Sequence, residues 1–199
     1  QSVYDYPYLS SSANHIFDVT VGYDESSARS GSASVQNKKK INMYNQFSQV
    51  MLGYTGSTNT VRMFESDLKL DQTGSMKETI FVNFSRLLTK DQIKKGSFAI
   101  SVKTGSYFGT VPGYITGGFA TYSDSQASDT QGTLNTVGGD YGILSGAQGI
   151  GGVVFYQAGI AVLTASIFRS GSAVPSTRET PGFYSDGVTT WHTVDELLT

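Results

Sequence analysis

The chain has 199 residues, 14 Lys+Arg against 16 Asp+Glu, and no cysteine. That length supports one well-buried core or two small ones. The formal charge of −2 excludes long-range attraction to nucleic acid or an anionic membrane, and the lack of cysteine excludes a disulfide framework, a thiolate zinc site and a cysteine nucleophile.

Charged residues make up 15% of the chain, against about 25% in a typical soluble domain. The 23 glycines, 12 tyrosines and 11 phenylalanines suit a β protein whose faces meet other protein rather than bulk water. Gln1 to Leu9 is aromatic, holds Pro7 and reads as part of an extended arm over residues 1–11, packed on a neighbour or on its own body. No signal peptide is read there, since a basic start and an apolar core are both missing. Gln1 in place of methionine reads as a cut or trimmed start.

Residues 12–192 read as a single β-rich domain. From Ala13 to Gly22 the chain alternates, with Ile16, Asp18 and Thr20 on one face and Phe17, Val19 and Val21 on the other, which predicts a strand. Over Ser34–Leu52 the period changes: Ile41, Tyr44, Phe47, Val50 and Met51 recur at helical steps, Ser34 can cap the start and Gly53 the end. Asn37, Lys38 and Lys39 fall on the first turn of that helix, where the dipole disfavours the positive charge of the lysines. An acidic partner surface would account for them, as would a helix that starts later.

Val61–Glu65 reads as a short strand, Leu68–Ser75 as a hairpin-like loop around Asp71 and Gly74, and Glu78–Ser85 as a strand with Ile80, Val82 and Phe84 opposite Phe81 and Asn83. Thr89 is placed to cap a short helix over Lys90–Lys95 closed by Gly96, ahead of a strand over Ser97–Val102. Residues 105–139 form a flexible excursion of glycine, aromatic and small polar residues, and Tyr141–Leu144 opens a further strand.

Gly151 to Phe168 is the most apolar run, too short and too interrupted for a membrane span. It reads as two core strands meeting at a tight turn around Ala158-Gly159, or as one strand bent at Gly159. Thr193 and Glu196 form a capping box, so 193–199 reads as the start of a helix that continues in a longer parent chain. The fold class expected is mainly β with one main helix: an antiparallel sheet or sandwich with the 34–52 helix packed on it.

No residue is assigned a catalytic, cofactor or metal role. His15 and His192 have ordinary places at the start of a strand and before a helix. No G-x-S-x-G elbow occurs, and Ser170-Gly-Ser172 has no suggestive neighbour. Gly146 to Gly152 superficially resembles a phosphate loop but lacks the G-K-[ST] ending and a following helix. The pairs Asp24-Glu25, Glu65-Asp67 and Asp195-Glu196 sit in loops or at a cap with no apolar pocket to separate their ionisation. Lys38–Lys40 is too short a run to imply nucleic-acid binding. Tyr4, Tyr6, Tyr8, Tyr107, Tyr114 and Tyr122 could stack on sugars or form protein interfaces.

Four segments taken together, Ser12 to Tyr23, Val35 to Gln46, Phe81 to Asp91 with Ile93 to Phe98, and Val154 to Thr164, resemble large virion structural proteins of marine contractile-tailed bacteriophages of cyanobacteria. The resemblance runs from about Ser12 to Leu198 and rests on the order of the segments. It implies a non-enzymatic component of the phage particle, in the tail, baseplate or fibre attachment, located in the virion and partnered by other virion proteins and by copies of itself. It carries no cofactor and no catalytic residue to transfer. The alternative from another class is a carbohydrate- or receptor-binding module with surface tyrosines and Trp191 as a sugar platform and a host-surface glycan as partner. A hydrolase would need a carboxylate pair about 5–9 Å apart in a cleft, and no such pair is placed by the sequence.

Overall fold

A computed structural model of the chain describes residues 1–5, 13–27, 30, 35–55, 58–71, 73–85, 91–103, 106–107, 115–116, 119–125, 135–147, 149–168, 182–184 and 191–193. Its elements are β1 (Ser2–Asp5), β2 (Asn14–Tyr23), α1 (Val35–Met51), β3 (Glu78–Phe84), β4 (Ala99–Lys103), β5 (Ser106–Tyr107), β6 (Ile115–Thr116), β7 (Phe119–Ser123), β8 (Asn135–Thr136), β9 (Gly139–Gly146), β10 (Gly149–Phe155), β11 (Ile160–Thr164), a 3-10 turn over Ala165–Phe168, β12 (Gly182–Tyr184) and β13 (Trp191–Thr193). Eight strands form one curled antiparallel sheet in the order β1-β2-β3-β11-β10-β9-β7-β4, with β8 paired on β9. β5 and β6 form one separate pair, β12 and β13 another.

The apolar run folds as the hairpin β10–β11, Phe155 pairing with Ile160 across a turn that contains Gly159 at φ 69°. The single bent strand is therefore not seen. Residues 151–155 of β10 and 160–163 of β11 are buried on both faces, because the apolar residues alternate onto two cores. One core holds Val21, Ile80, Val82, Val154, Ala161 and Leu163. The other holds Phe81, Val153, Phe155, Tyr141, Ile160 and Val162. The alternation expected for β2 and β3 is seen in their register, where Phe17 faces Phe84, Val19 faces Val82 and Val21 faces Ile80.

α1 covers the second core. Tyr44, Ser48 and Met51 are its buried residues, and the Phe47 ring stacks on Phe81 at 4.2 Å. Val50, expected in the apolar stripe, is 62% exposed. Ser48 takes that inward place because its hydroxyl finds the carbonyl of Arg62. The helix lies so close to β2 that a Cβ on Gly22 would stand 2.9 Å from the Tyr44 nitrogen. Gly53, at φ 76°, ends the helix and donates to the Ser48 carbonyl at 3.2 Å. The helix begins no later than Val35, so Lys38 and Lys39 lie near its start and a later start does not explain them.

Below α1, residues 53–77 are held by single bridges, Tyr54 to Val61 and Glu65 to Ser75. Val61–Glu65 is therefore not a strand of the sheet, and the 68–75 loop closes as expected. Tyr44 secures this region by donating to the Met76 carbonyl at 2.9 Å and accepting from the Phe64 N–H at 3.0 Å. On the opposite face the curl brings Phe98, just before β4, edge-on to Phe84 of β3 at 5.6 Å. The expected helix over 90–95 is not present in 91–95. The N–H of Ile93 bonds to the Tyr156 carbonyl at 3.0 Å, and the N–H groups of Gly96 and Phe98 bond to Asp124. Tertiary partners thus take groups that a local helix would use. Residues 194–199, and with them the body of the expected terminal helix, lie outside the described residues, as do Ser34 and Thr89.

The described part of the arm, residues 1–5, packs on the chain's own body: β1 adds to the outer edge of β2. The glycines that open β10 house Tyr122, since a Cβ on Gly151 would stand 2.4 Å from that ring. Gly142 is tighter still, with a Cβ there 1.9 Å from Tyr156 Oη. Gly142→Ala should cost about 2–3 kcal/mol through overpacking, measurable as a lower urea midpoint with an unchanged slope.

Candidate functional site

Two polar clusters stand out, one buried and one exposed. In the buried cluster Asp124 is wholly excluded from solvent. Its carboxylate accepts from Tyr156 Oη at 2.9 Å, from Gly96 N–H at 2.8 Å and from Phe98 N–H at 2.8 Å. Beside it Lys95 Nζ meets Asp140 Oδ2 at 2.5 Å and lies 5.9 Å from the Tyr156 ring centre. These groups answer one another: a buried carboxylate is tolerable only when fully hydrogen-bonded, and Asp124 meets that condition by fastening 96–98 to β7 and β10. The arrangement is a lock for the curl. Nothing in the sequence marked Asp124, which lies at the edge of a small polar stretch.

The exposed cluster lies on β1 and β2 and is made by a β-bulge. Ser2 pairs with Asp18, Val3 with Phe17, Tyr4 with His15 and Asp5 with Asn14, so Ile16 is passed over. One extra residue in a strand reverses which face the preceding residues take. Strict alternation would put His15 with Phe17; instead His15 shares a face with Asp18, and Nε2 meets Oδ1 at 2.9 Å. The Tyr4 ring packs on the imidazole with centroids 5.3 Å apart. Hydrogen bonds from the Ser2 hydroxyl and from His15 hold the Asp18 carboxyl below the usual carboxylate range.

Serine, histidine and aspartate are thus together, but in an order that forms no nucleophilic relay. A relay needs the imidazole between hydroxyl and carboxylate; here the carboxylate lies between Ser2 and His15. The group fixes the arm and braces Tyr4, which stays 49% exposed.

The other sequence candidates separate. Tyr122 is buried beneath the glycine run and cannot serve in an exposed platform. Tyr6, Tyr8, Tyr114, Ser170, Ser172, Asp195 and Glu196 lie outside the described residues, and for Tyr107, Trp191 and His192 the backbone alone is described. Asp24 accepts from the Ser26 N–H and hydroxyl at 2.8 and 2.6 Å, a turn-stabilising role. Glu65 is buried and receives the Asp71 N–H at 3.2 Å, while Asp67 pairs with Lys69 at 3.0 Å. Among the described residues no group of three or more His, Asp or Glu is placed to hold a metal ion, and no helix is long and apolar enough to cross a membrane.

The chain matches no family model, no curated protein sequence and no solved structure.

Two pH responses follow from these contacts. Burial holds the Tyr44 and Tyr156 phenols well above their ordinary value, in Tyr156 with added help from the Asp124 bond. An unfolded phenol ionises near pH 10, so this stabilisation is complete below about 10 and is lost as pH rises beyond it. Absorbance at 295 nm should show these phenolates appearing only together with loss of the β signal in circular dichroism. Asp18 has the opposite sign: its contribution is complete above the unfolded value of about 3.9 and is lost as pH falls through the depressed native one. Asp18→Asn at neutral pH should mimic that loss, with faster amide exchange at Val3 and Val19 and an unchanged core.

Proposed function

We propose that the chain is a non-enzymatic structural component of a phage virion, a tail, baseplate or fibre-attachment protein that works by burying surface against other virion proteins and copies of itself. The order of the segments that resemble virion proteins supports this reading, as does a chain with only 15% charged residues. The observation that carries it is the outer edge of the sheet at β1, which among the described residues pairs only with β2 and where Val3 is 39% and Tyr4 49% exposed. A terminal strand presents unpaired N–H and C=O groups to any chain that can pair with it, and exposed aromatic and branched side chains beside it supply contact area.

A second reading, a carbohydrate- or receptor-binding module, draws on the same Tyr4, half-exposed and held rigid by His15 and Asp18. One experiment separates the two: mass and symmetry of the native assembly by electron microscopy and light scattering. The assembly reading expects the chain in a particle of three-, five- or sixfold symmetry. A monodisperse monomer with no particle overturns it, and saturable glycan binding abolished by Tyr4→Ala then establishes the second.

A further inference from the structure

The backbone of β1 says which of its groups face outward. Gln1 commits both N and O to Val19, each bond 2.7 Å. Strand backbones alternate, so Val3 also faces β2, while the N–H and C=O of Ser2 and Tyr4 point away from β2, where no other described strand lies. The extra residue of the bulge belongs to β2, and β1 itself is regular. All four of its side chains are exposed, and it carries none of the lysines, prolines or bulges that usually blunt an edge. At the far end of the sheet, by contrast, β4 finishes on Lys103.

We propose that two copies of this chain join edge to edge through β1, antiparallel, about a two-fold axis at Val3. Antiparallel pairing requires outward residues to meet outward residues, which leaves few centres. With Val3 on the axis, Ser2 faces the partner's Tyr4 in a hydrogen-bonded pair, Val3 meets the partner's Val3, and Asp5 faces the partner's Gln1. This register uses all five residues and sets no like charges opposite each other. Centring on Ser2 shortens the overlap, and centring on Tyr4 sets Asp5 against the partner's Val3. The contact is isologous, so the same short strand supplies both sides. This inference rests on the assembly reading and names the partner as a second copy of the chain.

With no native cysteine, Val3→Cys installs a single thiol. On the axis the two Cα atoms would be about 4.5 Å apart, within disulfide range. Mild oxidation should convert Val3→Cys to a covalent dimer and leave Ser2→Cys mostly monomeric, since Ser2 faces Tyr4 in this register. Added to Val3→Cys, Tyr4→Pro removes an outward N–H that β2 does not use and should lower dimer yield about tenfold, whereas Tyr4→Ala added to Val3→Cys keeps that N–H and should crosslink. Circular dichroism confirms that each variant folds. If Val3→Cys stays monomeric while the native protein is oligomeric, or if Ser2→Cys crosslinks equally fast, the β1 contact is wrong and the assembly reading stands. A native monomer that also fails to crosslink overturns both.

Discussion

The structure turns on one constraint: residues 151–155 of β10 and 160–163 of β11 are buried on both faces. A two-sided antiparallel hairpin needs two covers, and most of the chain is arranged to supply them. On one side α1 and residues 53–77 close over Phe81, Val153 and Phe155. On the other the sheet bends on itself until residues near β4 reach β3. Water is excluded from both layers, so the apolar alternation of each central strand is stabilising in both directions.

Close approach has a chemical requirement, and glycine meets it. Gly22 lets α1 settle on β2, Gly142 makes room for the Tyr156 hydroxyl, and Gly151 receives the Tyr122 ring. The abundance of glycine and tyrosine is therefore one feature, since large rings lie against bare backbone. The same tightness explains the hydrogen bonds of the buried phenols, Tyr44 to Met76 and Tyr156 to Asp124. A phenol pressed into a dry layer must find an acceptor there.

The arm obeys different physics. β1 is exposed on all its residues and is held by backbone pairing and by the polar group that the bulge at Ile16 assembles. One extra residue turns His15 toward Asp18, and that pair steadies Tyr4. Such irregularities gather where a protein meets something else, because regular pairing alone would hide or misdirect these side chains. In this chain the irregular site and the outer edge of the sheet coincide.

The sequence by itself determined the elements whose period is strong: the faces of β2 and β3, the turn at Gly159, the helix that Gly53 ends, and so the class, mainly β with one helix. These are local, since side-chain alternation and a glycine's freedom act within a few residues. The tertiary structure decided what depends on distant partners. Ser48 rather than Val50 turns inward because Arg62 offers a carbonyl, 91–95 stays unwound because Asp124 and Tyr156 claim the backbone, and His15 changes face because β1 pairs past Ile16. The spacing of tyrosines directs attention to the arm, but it does not contain the bulge. A bulge exists only in the pairing of two strands, so no single stretch of chain can encode it legibly.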